Sequence, residues 1–162
     1  QGAVRQGSTL VALVFVLSAA ASACLGWLTR PADRVAVIGF SAGGIAVNEY
    51  IATAGRMFAL ESDFRAAIAV YGGTARLSGY AERDIPLMQI VASEDERFRR
   101  ICEFYGETTP TEVHVIEGAY HAFDQPQLTR MIHYVGFDMV YSYGATREAQ
   151  TLVRRFLARH LQ

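Results

Sequence analysis

The chain has 162 residues, about half of them apolar, which fits one domain with a substantial core. Its 15 basic and 16 acidic residues leave a net charge of −1 and no basic run, so there is no electrostatic case for nucleic-acid binding. Cys24 and Cys102 match no metal-ligand spacing, no motif for a metal or an organic cofactor appears, and free, buried thiols are expected.

Residues 1–8 are polar and glycine-bearing and read as a loop. Leu10 to Leu28 carries no charge. A membrane span needs about 20 apolar residues, so this stretch just suffices in length. It is rich in alanine and serine and lacks flanking basic clusters, which favours an element buried against a sheet: a helix, or a short strand over Leu10–Val16 with a helix from Ser18. The location expected on this reading is cytoplasmic, with export or membrane anchoring through residues 10–28 as the alternative. Val35 to Ile38 is a short apolar run suited to a strand buried on both faces. Gly39-Phe40-Ser41-Ala42-Gly43 follows and fits G-x-S-x-G, and a helix from about Ala42 to Met57 resumes with Ile45, Val47, Ile51 and Ala54 on its inner side. Strand, tight turn and helix is the setting of a nucleophile elbow. The glycines remove side chains that would collide at so sharp a bend, which leaves the Ser41 hydroxyl clear of the sheet and turns the Ala42 N–H toward a developing oxyanion.

Further along, Ala66 to Tyr71 and Leu87 to Ala92 are buried strands, and the second is followed by the acidic turn 93–97. Phe98 to Tyr105 is expected to be helical and Glu112 to Glu117 a strand. Residues 118–127 form a loop with a histidine, 128–144 read as aromatic and irregular, and Ala145 to Leu161 is an amphipathic helix with Ala149, Leu152, Val153, Phe156, Leu157 and Leu161 on one face. Strands alternating with helices predict an α/β fold: a mostly parallel sheet with helices on both faces, in a single domain over 1–162. In such a sheet, chemistry gathers at the carboxyl ends of strands.

That rule sorts the polar residues. Ser41 needs a base, and there are four histidines. His114 lies within a strand, His133 in the irregular segment and His160 at a helix end; only His121 follows a strand directly. A carboxylate must orient that base. Glu94, Asp95 and Glu96 share one strand-end turn, and Asp124 is a weaker candidate, more suited to bracing the histidine loop. The order Ser, Asp, His along the chain is that of α/β-hydrolases.

Four stretches carry a resemblance: RVAVIGFSAGG at the elbow, IPLMQIVASEDE at the acid, EGAYHAFDQP at the histidine and TREAQTLVRRFLARHL at the close. With LGWLTRPADRVAVIG leading into the elbow, the chain from about residue 16 onward resembles the C-terminal part of the dienelactone hydrolase family of α/β-hydrolases. The resemblance implies Asp95 as the acid and His121 as the base. Two departures matter. The founding enzymes carry cysteine where this chain has Ser41, which implies ester substrates. The family's first strands, and the loop that gives the second oxyanion N–H, have no counterpart here, which implies a truncated α/β-hydrolase with an exposed sheet edge open to a second copy of the chain.

The function expected is cleavage of small-molecule carboxylic esters by Ser41, His121 and Asp95, with the Ala42 N–H in the oxyanion site and no cofactor or metal. The alternative is a truncated homologue with little activity, serving as a binding or assembly module. Tyr120, Phe123, Tyr134, Phe137, Tyr141 and Tyr143 flank His121 and could line an acyl pocket, with ordinary packing expected for most of them.

Overall fold

The computed structural model describes residues 12–13, 35–53, 64–73 and 85–161. Five strands lie in one sheet in chain order: β1 (Ala12–Leu13), β2 (Ala36–Phe40), β3 (Ala66–Val70), β4 (Leu87–Ala92) and β5 (Glu112–Ile116). Every neighbouring pair is parallel. Residues of β3 and β4 are buried throughout, as their unbroken apolar runs require of strands covered on both faces.

Alternation along the strands divides the core in two. On one face Ile38, Ile68, Val70, Ile90 and Ile116 pack under α3 (Tyr143–His160), which contributes Ala149 and Phe156. On the other, Val37, Ala67 and Leu87 meet Val47 and Ile51 of α1 (Ala42–Thr53) and Tyr105 of α2 (Glu96–Thr108). The expected inner face of the last helix is the observed one: Leu152, Val153, Leu157 and Leu161 also pack against the first cluster. The expected strand over Leu10–Val16 contains β1, while the proposed helix from Ser18 and the end of α1 from Ala54 to Met57 lie outside the described residues. Among the described residues no helix is long and apolar enough to cross a membrane. Apart from Ala12 and Leu13, the candidate stretch 10–28 is not among them.

Several features differ from expectation, beginning with β2, which runs over Ala36–Phe40 where Val35 to Ile38 was expected. Helix α2 starts at Glu96, two residues before the expected Phe98, and continues to Thr108. Helix α3 starts at Tyr143, capped by the Ser142 hydroxyl, which accepts from the Ala145 N–H. The segment 128–144, expected to be irregular, holds an antiparallel hairpin of β6 (Ile132–Tyr134) and β7 (Phe137–Met139). Its strands have three residues each, too short for a visible period, and its turn is Val135-Gly136 rather than the Asn-Gly that announces a two-residue hairpin.

Candidate active site

The elbow follows from local sterics. Ser41 has φ of 51°, in the left-handed region, and sits between the end of β2 and the start of α1. Its N–H donates to the Val70 carbonyl at 3.0 Å, and its carbonyl accepts from the Ile45 N–H at 3.1 Å, so both backbone groups are fixed. A Cβ at Gly39 would stand 2.1 Å from the Gly43 carbonyl oxygen, which only glycine avoids. The turn after β3 approaches as closely, since a Cβ at Gly72 would lie 2.3 Å from the Ser41 carbonyl oxygen. Buried Asn48 of α1 holds that turn, donating from Nδ2 to the Gly72 carbonyl at 2.8 Å. Ala42 is the first residue of α1, where a helix offers N–H groups without intrahelical acceptors.

The ends of β4 and β5 are tied to each other. Ser93 N–H donates to Ile116, Glu94 N–H to Ala119, and Gly118 N–H to the Ser93 hydroxyl at 2.8 Å. These bonds set the acid turn beside the histidine loop. Of the three carboxylates in the acid turn, Glu94 and Glu96 are exposed and Asp95 is 6% exposed. Asp95 occupies the N-cap position of α2 but makes no side-chain cap; its carboxylate turns instead to His121.

The structure brings Ser41, His121 and Asp95 into one hydrogen-bonded series. Ser41 Oγ is 2.9 Å from His121 Nε2, across 80 positions of sequence. His121 Nδ1 is 2.6 Å from Asp95 Oδ2, in a pair almost wholly buried. A carboxylate only accepts, so Nδ1 carries the proton and Nε2 is left to accept from the serine hydroxyl. The other histidines are elsewhere: His114 bonds Glu112, His133 bonds Asp138, and the His160 ring lies against Phe156. Asp124 is not in the series. It accepts from the Tyr71 hydroxyl at 2.6 Å and so braces the loop, as expected of it.

Three aromatic residues surround the imidazole, and of these sequence reasoning names Phe137 alone, among the residues that could line a pocket beside His121. Tyr71 directly follows β3, with φ of 38° and its ring centre 4.8 Å from that of His121. Burial and the adjacent Asp124 charge push its phenol well above the ordinary range. Phe98, in the first turn of α2, is stacked at 5.9 Å. Phe137 of β7 is stacked on the imidazole at 4.2 Å with the planes 20° apart. Of the two that sequence reasoning missed, Tyr71 carried a usable signal, its place at a strand end, and Phe98 carried none beyond being aromatic. Of the six aromatic residues expected around His121, Phe123 is a core residue, while Tyr134 and Tyr143 are exposed. Cys102 is buried and free, its Sγ donating to Gln89 Oε1 at 2.8 Å, and burial pushes its thiol up to about 12. Cys24 lies outside the described residues.

No family model and no curated protein matches the chain. Solved structures do. A protein of Klebsiella pneumoniae subsp. pneumoniae MGH 78578, assigned as a dienelactone hydrolase, aligns over 78% of this chain and 52% of its own, with a TM-score of 0.53 and 14% identity. A dienelactone hydrolase-like promiscuous phosphotriesterase from metagenomic libraries aligns over 80% of this chain and 54% of its own, with a TM-score of 0.61 and 20% identity. The chain thus spans about half the length of the structures it matches. Over that half, it has the α/β-hydrolase fold of dienelactone hydrolase-like proteins.

Proposed function

We propose that the chain is a serine hydrolase that cleaves carboxylic esters. The observation that carries this reading is the unbroken series Ser41 Oγ, His121 Nε2 and Nδ1, Asp95 Oδ2, with spacings of 2.9 and 2.6 Å. Ser41 attacks the ester carbonyl as His121 Nε2 takes its proton. Asp95 holds the tautomer and balances the imidazolium that forms. The tetrahedral oxyanion is held by the Ala42 N–H at the head of α1, where the helix dipole also favours negative charge. His121 then returns the proton to the leaving alcohol, and water attacks the acyl-serine by the same route in reverse roles. An ester suits this site because its alkoxide leaves once protonated and needs no metal. The residues required for each proton transfer are present on this chain.

The test is hydrolysis of a short-chain aryl ester, with labelling of Ser41 by a fluorophosphonate. Stoichiometric label and turnover are expected. Ser41→Ala is expected to lower the rate by roughly 10⁴-fold or more. A mutant that turns over at the wild-type rate would remove the nucleophile assignment.

A further inference from the structure

We infer that Phe137 is a positioning residue for His121: from an exposed hairpin it covers one face of the imidazole, fixes the ring's orientation and keeps water from the bond to Asp95. This inference rests on the ester-hydrolase reading for its kinetic consequence, but not for its structural one.

Three observations meet at this ring. First, β7 does not merely pass nearby. His121 and Met139 form a parallel β-bridge, and the Tyr141 and Ser142 N–H groups donate to the Leu128 and Phe123 carbonyls at 2.9 Å each, which closes the base of the hairpin onto the histidine loop. Second, the contact is face to face. Phe137 lies 4.2 Å from the imidazole centre, and Phe98 of α2 touches both rings, 5.5 Å from Phe137 with planes 13° apart and 5.9 Å from His121, so α2 flanks the stacked pair. Third, a cavity of about 220 Å³ reaches Asp95, His121 and Phe137 together. Ser41 is not among its lining residues. Its rim is polar, with Arg97, His133 and Asp138, so it is a space that water would occupy.

The hairpin's pattern fits this role. Tyr134 opposes Phe137 and Ile132 opposes Met139, which puts four apolar residues on one face, with the hydrogen-bonded pair His133–Asp138 on the other. Tyr134 and Ile132 remain exposed, so the hairpin is not a core element. The part of its apolar face that is covered is the part against His121. Truncating Phe137 would widen the polar cavity beside a pair that is now only 2% and 3% exposed. A hydrogen bond open to water is weaker than one that is shielded. When His121 takes the serine proton it becomes a cation over an aromatic face, within the range of cation–π attraction.

The experiment compares wild type with Phe137→Ala, Phe137→Leu and Phe137→Tyr. The structural readout is the low-field proton resonance of His121 Nδ1–H, which needs no turnover. It is expected to be present in wild type and Phe137→Tyr, and lost to solvent exchange in Phe137→Ala. The kinetic readout is aryl-ester hydrolysis: kcat falls roughly ten- to a hundredfold in Phe137→Ala while KM changes little, and Phe137→Tyr restores it. An Nδ1–H signal in Phe137→Ala with wild-type position and exchange would overturn the inference, as would unchanged kcat. Failure of both the Ala and Leu variants to fold would make the ring a structural support and overturn it too. If wild type takes no fluorophosphonate label, the ester-hydrolase reading fails on its own, and the resonance still decides whether Phe137 shields His121.

Discussion

Asp95 shows how a residue's surroundings overrule its local sequence. In the turn Ser93-Glu94-Asp95-Glu96, three carboxylates have equal claim by position after β4. The structure separates them by burial and by the 2.6 Å contact to His121 Nδ1. An amide at this position can present its NH₂ to Nδ1, so Asp95→Asn would favour the tautomer with its proton on Nε2. That nitrogen could then no longer accept from Ser41. The expected loss in kcat is about 10³–10⁴-fold, with the fold intact by circular dichroism. A variant within threefold of wild type would assign the orienting role to another group. Ser41 and His121 were legible as candidates because Ser41 directly follows β2 in a pattern with a chemical reason and His121 lies in the loop after β5. The choice of Asp95 over Glu94 and Glu96 came from resemblance, since nothing in four polar residues tells which one turns inward.

Elements are held to the sheet unequally. Helix α3 reads clearly as amphipathic and packs as expected, because its apolar positions recur at helical spacing over 18 residues. The hairpin of β6 and β7 has no such length, and its exposed Met131, Ile132, Tyr134 and Val135 give no sign of an inner face. The C-terminal end of α3 is also tied electrostatically to β5: Arg159 bonds Glu112, which accepts from His114 Nε2 at 2.6 Å. Burial alone would raise the Glu112 carboxyl, but the hydrogen bonds and charges of His114 and Arg159 outweigh it and hold it below the ordinary range. A carboxyl held low in the folded state adds stability above the unfolded Glu range. That contribution is lost as pH falls through the folded value. Urea unfolding of Glu112→Gln should therefore depend less on pH than wild type from about pH 5 to pH 3. The effect is small, because the pair is partly exposed and screened. Equal slopes for the two proteins would show that the contact adds nothing.

At the scale of the molecule, the parallel sheet was the most legible feature: β2, β3 and β4 are near-continuous apolar runs with helices between or after them. Among the described residues the sheet runs from β1 (Ala12–Leu13) on one side to β5 on the other. An unpaired strand edge is a template for pairing with another chain. We propose that an edge of this sheet is met by a second copy of the chain. Light scattering after size exclusion at micromolar concentration should give a dimer or larger species, and a strict monomer would exclude it.

The hairpin tip has a consequence for adjusting this protein. Val135 and Gly136 both have left-handed backbones, with φ of 52° and 82°, and Val135 is 72% exposed. A β-branched residue in that conformation costs about 1–2 kcal/mol, which asparagine at the same place largely avoids. Val135→Asn should therefore slow amide exchange in β6 and β7 without touching Ser41, His121 or Asp95. The tip would then act as a remote set screw, by which the stiffness of the aromatic clamp could be tightened from the solvent side.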